Sequence, residues 1–160
     1  MIYEICEART AEEKERLSQE LLANLRQIDR EEMEGLGITS EHGVRCSIFN
    51  TNPVYYGRNL NNGKLAVCWG LQIYPGKEKT TYLIWALGTD EIKKVRKTFI
   101  KESAKILRKW ADKYGELTNR VGTFNRDSVA WLKWLGADFG KPQLINGKEY
   151  VDFYLRKREE

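Results

Sequence analysis

TTYLIWALGTDEIKKVRKTFIKESAKILRKWADKYGELTNRVGTFNRDSVAWLKWLGADF, residues 80–139, switches its hydrophobic period repeatedly, and those switches decide the fold. Thr80 to Leu87 is rich in β-branched and aromatic residues and reads as a strand. After Gly88-Thr89-Asp90, Val95, Phe99, Ala104, Ile106, Leu107 and Trp110 fall on or near one helical face, and Gly115 stops the helix after Tyr114. Leu117 to Phe124 is again a strand, and Arg126 to Leu135 a short helix with Gly136 just beyond it.

Downstream, Ile145-Asn146-Gly147-Lys148 predicts a turn before a final strand, Tyr150 to Arg156. Upstream, Lys64 to Tyr74 forms a second strand, joined to the first by Pro75-Gly76-Lys77-Glu78-Lys79, so the two are expected to be adjacent and antiparallel. The second half is therefore β–β–α–β–α–β(–β). Asn50 to Asn62 collects Asn, Gly, Pro and Tyr and is expected to be a loop or hairpin turn between strands, with Asn62-Gly63 as its strongest turn signal. Ile2 to Ala8 reads as a short strand, and Thr10 with Glu13 three residues on is a capping box for a helix from Ala11 to Gln27. Leu17, Leu21, Leu22, Leu25 and Ile28 give that helix one buried stripe. Asp29 to Met33 continues or restarts it before Gly35 and Gly37, and Thr39 to His42 opens a further short helix. The fold class is α/β (α+β).

The chain has 160 residues, 41% hydrophobic and 31% charged, which suits a single domain over 1–160. No stretch approaches the roughly 18 apolar residues of a membrane span, and no basic leader precedes an apolar run, so a soluble, non-secreted protein is expected. Cys6, Cys46 and Cys68 are odd in number and widely spaced, which argues against a disulfide framework or structural zinc and for a reducing compartment. His42 is the only histidine, so no multi-histidine metal site or histidine triad fits one chain.

The order strand, strand, long helix, strand, short helix, strand, together with Asn125, Ser128, Trp131 and Gly136 at their spacings, resembles the GNAT N-acyltransferase superfamily. In that pattern an Asn after the fifth strand caps the short helix and reaches a cofactor, and the Gly closes it. The Trp85, Leu87, Gly88, Thr89 run, Asn119, Asn125 and Trp131 to Gly136 look closer still to small GNAT-like proteins of tailed bacteriophages, the internal virion protein A group among them. The resemblance implies a mixed, mainly antiparallel central sheet flanked by helices. It implies acetyl-CoA as cofactor, held by Leu87, Gly88, Thr89, Lys94, Arg96, Lys97, Thr98, Asn125 and Ser128, with an amine as acceptor. It also implies phage or host proteins as partners, and the cytoplasm of an infected bacterium or the virion as location.

Two departures bear on chemistry. Active GNAT enzymes carry an Arg/Gln-x-x-Gly-x-Gly/Ala loop before the long helix, whose bare amides hold the CoA pyrophosphate. Here Gly88-Thr-Asp-Glu-Ile-Lys93-Lys94-Val-Arg96-Lys97-Thr98 offers four cationic side chains in its place. Many also place a Tyr seven residues after the Asn to protonate the leaving thiolate; here that residue is Leu132, and Tyr114, Tyr150 or Tyr154 would have to substitute. Asp90 and Glu91 are the nearest carboxylates and read as helix-start charges. No catalytic residue is assigned, and no cysteine shows an activating neighbour. The five tryptophans could be read as a base-stacking platform, but most fall on apolar positions where core packing is the commoner use, and Trp134 is left open between the two.

Three functions compete: an acetyl-CoA-dependent N-acyltransferase, a GNAT-like phage protein kept as a virion, assembly or host-interaction component, and a nucleic-acid-binding module. The last rests on Lys93, Lys94, Arg96, Lys97, Lys101, Lys105, Arg108 and Lys109, and ranks weakest because acids intersperse them and the net charge is only +4.

Overall fold

Thr10 accepts the Glu13 amide while the Glu13 carboxylate accepts the Thr10 amide, so the capping box expected from the sequence starts the first helix. In the computed structural model, which describes residues 3–158, the elements run β1 (Tyr3–Ala8), α1 (Ala11–Asn24), α2 (Gln27–Gly35), α3 (Ser40–Phe49), β2 (Val54–Asn59), β3 (Leu65–Tyr74), β4 (Thr81–Gly88), α4 (Ile92–Tyr114), β5 (Glu116–Gly122), α5 (Arg126–Trp134), β6 (Asp138–Phe139), β7 (Gln143–Ile145) and β8 (Lys148–Arg156). The strands form an 8-stranded sheet in the order β1-β2-β3-β4-β5-β8-β6, with β7 paired to β8. β1–β2, β2–β3, β5–β8, β6–β8 and β7–β8 pair antiparallel, and β4–β5 parallel. The connection 75–80 is too short for a parallel crossover, so neighbouring β3 and β4 form a hairpin as the sequence predicts. Ile2 lies outside the described residues.

The chain groups into two compact units: residues up to Gln72 with Trp85–Phe99, and Ile73–Ile84 with residues from Ile100 onward. In the first, Leu17 and Leu21 of α1 and Leu25 just after it bury almost completely beside Val44, Ile48 and Val54. Each such side chain contributes about 1.5–3 kcal/mol of transfer free energy. Leu22 and Ile28, the flanks of the expected stripe, are only half-buried.

Helix α1 ends earlier than expected. Leu25 and Arg26 turn extended, with ψ of 135° and 144°, and α2 restarts at Gln27. The break has a partner: Arg26 N–H donates to Gly88 O at 2.9 Å and Leu25 bridges Thr89, so two residues of extended chain close the backbone at the end of β4. Residues 50–62 also differ from expectation, because Val54–Asn59 is a strand. It pairs with β1 along its whole length and with β3, and the helix α3 rather than a strand precedes it. Val54-Tyr55-Tyr56 favours a pleated surface, and two-sided pairing outweighs the Asn and Gly around it. Gly57 is required by a close approach, since a Cβ there would lie 2.2 Å from the Tyr3 ring.

In the second unit β5 pairs with β8 from Glu116↔Arg156 to Gly122↔Tyr150. Asn146 and Gly147 have φ of 50° and 80°, the primed hairpin geometry that joins β7 to β8. Gly115 and Gly136, with φ of 91° and 90°, end α4 and α5 where the sequence places those stops.

Candidate functional site

In the first unit, the turn from β4 into α4 holds most of the residues expected to grip a cofactor. Gly88 N–H donates to Asp29 Oδ2 at 2.8 Å, and its carbonyl takes the Arg26 amide. Thr89 is buried; its amide donates to Ala66 O at 2.9 Å and its hydroxyl to Leu65 O at 2.6 Å, while the hydroxyl oxygen accepts the Glu91 amide at 3.2 Å. The amides of Ile92, Lys93 and Lys94 then bond back to the carbonyls of Thr89, Asp90 and Glu91. The amides of Gly88, Thr89 and Glu91 to Lys94, which could otherwise cradle a phosphate, are thus spent inside the protein. Gly88 serves packing: a Cβ there would meet Arg26 Nε at 3.1 Å and Ala66 O at 3.4 Å.

Arg26 and Asp29, which sequence reading did not single out, form a bidentate pair at 3.0 and 2.9 Å with Asp29 only 1% exposed. Sequence contains no signal for this, since the Gly88 partner lies 59 residues away. Leu87 half-buries against the core, Lys94, Arg96 and Lys97 are exposed on the first turns of α4, and Thr98 is half-buried. Their ammonium and guanidinium groups remain the cationic donors that this turn presents to solvent.

Glu91 is a helix-start charge with a more specific task. Its Oε1 accepts Asn62 Nδ2 at 2.6 Å and Asn59 Nδ2 at 2.9 Å, with Lys94 Nζ at 3.5 Å. The Asn62 hydrogen bond, then those of Asn59 and Lys94, hold its carboxyl below the ordinary value against the opposing effect of burial. A carboxylate so occupied fastens the β2–β3 turn to α4 and is a poor proton acceptor.

In the second unit Asn125 caps α5, its Oδ1 accepting the Ser128 amide at 3.3 Å, and is 2% exposed. Strands β4 and β5 pair in register at Leu83↔Thr118, and the Asn119 side-chain amide takes the Ile84 carbonyl at 2.7 Å, a side chain standing where a ladder N–H would continue. Leu132 is buried in the core of this unit. Of the tyrosines that might replace it as proton donor, Tyr150 is buried edge-on to Phe124, Tyr114 stacks on Tyr82 at 4.4 Å, and Tyr154 lies under the Arg156 guanidinium. All three rings are engaged in packing.

Cys46 does have a neighbour, contrary to expectation: His42 Nε2 lies 3.4 Å from its Sγ, one helical turn back on α3. The i, i+4 spacing carried that signal. Cys6 donates to Glu4, and burial pushes its thiol up, as it does more strongly for Cys68. Trp69 stacks on Tyr55 and Trp85 donates to Thr51, as core residues do, whereas Trp134 is 63% exposed. Among the described residues no group of three metal-ligating side chains gathers, and no helix is long and apolar enough to cross a membrane.

No protein-family model matches the sequence, and no curated protein matches it. Solved structures do. The ribosomal-protein-S18-alanine N-acetyltransferase from Escherichia coli superposes with a TM-score of 0.64 at 10% identity, over 99% of this chain and 96% of its own. An acetyltransferase of the GNAT family from Streptococcus pneumoniae gives 0.60 at 15% identity, over 98% and 99%. A ribosomal L7/L12 α-N-protein acetyltransferase in complex with coenzyme A gives 0.60 at 12%, over 98% and 95%. At such identities the likeness is one of architecture, and the mixed, mainly antiparallel sheet flanked by helices is the GNAT acetyltransferase fold.

Proposed function

We propose that this protein binds an acyl-CoA and acts as an acetyl-CoA-dependent N-acyltransferase of the GNAT type, with weakened cofactor and general-acid motifs. The observation that carries the reading is the GNAT acetyltransferase fold running over nearly the whole chain, with a structure of that fold in complex with coenzyme A among its neighbours. The phosphates are held by Lys94, Arg96, Lys97 and Thr98 at the start of α4, with Leu87, Gly88 and Thr89 shaping the strand end, and Asn125 and Ser128 completing the cofactor contacts. Charge on flexible side chains replaces rigid amides, so binding costs more side-chain entropy and is more sensitive to salt. An amine attacking the thioester expels a thiolate, and Leu132 has no proton for it, so turnover is slow.

A second reading has two observations in its favour. The occupied amides at the α4 start and the buried Leu132 suit a phage virion, assembly or host-interaction protein that keeps the fold without the chemistry, in the infected cell or the virion. Calorimetric titration with acetyl-CoA separates the two. The first reading expects a Kd on the order of micromolar, weakened at least about tenfold when Lys94, Arg96 and Lys97 are changed together to Ala. Absence of heat with wild-type protein would favour the second.

A further inference from the structure

Helix α4 carries nine of the chain's 27 Lys and Arg and two of its 23 Asp and Glu, so it holds a formal +7 and the rest of the chain −3. The whole basic excess sits on one helix. Its buried row is Val95, Phe99, Ser103, Leu107 and Ala111. Two residues out of phase, on the opposite side, stand the exposed Lys101, Lys105, Lys109 and Lys113, and Lys93 and Lys97 continue the row toward the helix start. Four-residue steps advance about 6 Å along the axis, so these four ammonium groups form a ridge roughly 18 Å long. Like charges four apart destabilise a helix, so the row adds nothing to the stability of α4 itself.

The acids do not cancel it. Asp112 is engaged by Arg158 at 2.9 Å, and Glu102 reaches Lys105 only at 3.5 Å. Lys101 and Lys109 have no ion-pair partner among the described residues. Arg108, within the same stretch, donates through Nη2 to the Leu135 carbonyl at the end of α5. The residue before that carbonyl is Trp134, 63% exposed, with Lys133 beside it also exposed. The Arg108 contact thus ties the end of α5, which carries this unburied indole, to the helix of the ridge, and ammonium groups for phosphates with a ring for a base is the pairing that single-stranded nucleic acid uses. A lipid surface fits less well, because the apolar row of α4 is buried in the protein and offers nothing to insert, and the remainder of the chain is net negative.

We propose that the Lys101, Lys105, Lys109, Lys113 ridge and Trp134 bind single-stranded nucleic acid without sequence preference, independently of any acyl-CoA binding. The test is fluorescence anisotropy of a labelled oligothymidylate of roughly 20 nucleotides across a salt series. Wild type is expected to bind with a log–log salt slope of about −2.8, from about −0.7 per phosphate over four contacts. Changing the four lysines to Gln should bring the slope near zero, with far-UV circular dichroism and the melting temperature unchanged or improved. Trp134→Ala should weaken binding at least about fivefold with the slope unaltered. No binding at low salt, an unaltered slope in the lysine variant, an unaltered affinity in Trp134→Ala, or a preference for duplex DNA or for phosphatidylserine vesicles would each overturn the proposal.

Discussion

Replacing Asp29 by Ala removes the carboxylate that the Arg26 guanidinium and the Gly88 amide share. Asp29 is 1% exposed and the Arg26 side chain 13%, so little water is at hand to take over either bond. Breaking a buried pair from one side costs about 3–5 kcal/mol. The residual exposure of Arg26 favours the lower end, and the stranded Gly88 N–H adds about 1 kcal/mol. A total of about 4 kcal/mol lowers the melting temperature of a chain this size by roughly 8–16 °C. Urea titration and thermal circular dichroism measure it directly. Asp29→Asn keeps an acceptor for Gly88 and should cost less, and the double change Arg26→Met with Asp29→Leu should recover most of the loss, because an apolar replacement of both partners leaves no buried charge. A loss below about 1 kcal/mol in Asp29→Ala, or a double variant as unstable as the single one, would refute the assignment of this pair as the clamp on the end of β4.

Gly57→Ala should destabilise by about 1–3 kcal/mol, because the added methyl meets the buried Tyr3 ring at 2.2 Å, and Tyr3→Leu should relieve part of that loss in the same denaturation assay. Glu91 stays ionised to lower pH in the folded protein than in the unfolded chain, so its stabilising contribution is complete above the ordinary carboxylate value of about 4.3 and is lost as pH falls through the folded value. Asn62→Ala should therefore reduce the acid-side fall of stability in a pH series of melts. Thiol titration should find Cys6 and Cys46 reactive in the native protein and Cys68 only after denaturation, since Cys68 is buried and the other two are part-exposed. Leu132→Tyr should cost about 1–3 kcal/mol by overpacking, read in the same denaturation assay.

Local chemistry was legible in the sequence wherever one residue enforces one conformation. Thr10 with Glu13, Thr39, Asn125, Gly115, Gly136 and Asn146-Gly147 each mark the end of an element where the structure places it. The strand at Val54–Asn59 was hidden because its support comes from β1 and β3 rather than from its own composition. The same limit governs the candidate site. Exposed Lys94, Arg96 and Lys97 could be read from spacing, but the consumption of the Gly88 and Thr89 amides depends on Asp29 and Ala66, which only the folded chain brings near. Glu91 was recognised as a helix-start charge, and its two asparagine partners lie some thirty residues earlier across a turn.

The proposed function turns on cationic side chains at the start of α4 holding the phosphates of an acyl-CoA. Calorimetric titration of the wild-type protein with coenzyme A and, in parallel, with pantetheine, which lacks those phosphates, measures this most directly. The account predicts binding of coenzyme A that weakens as salt rises, and at least about tenfold weaker binding of pantetheine; equal affinity for the two, or no binding of coenzyme A, would contradict it.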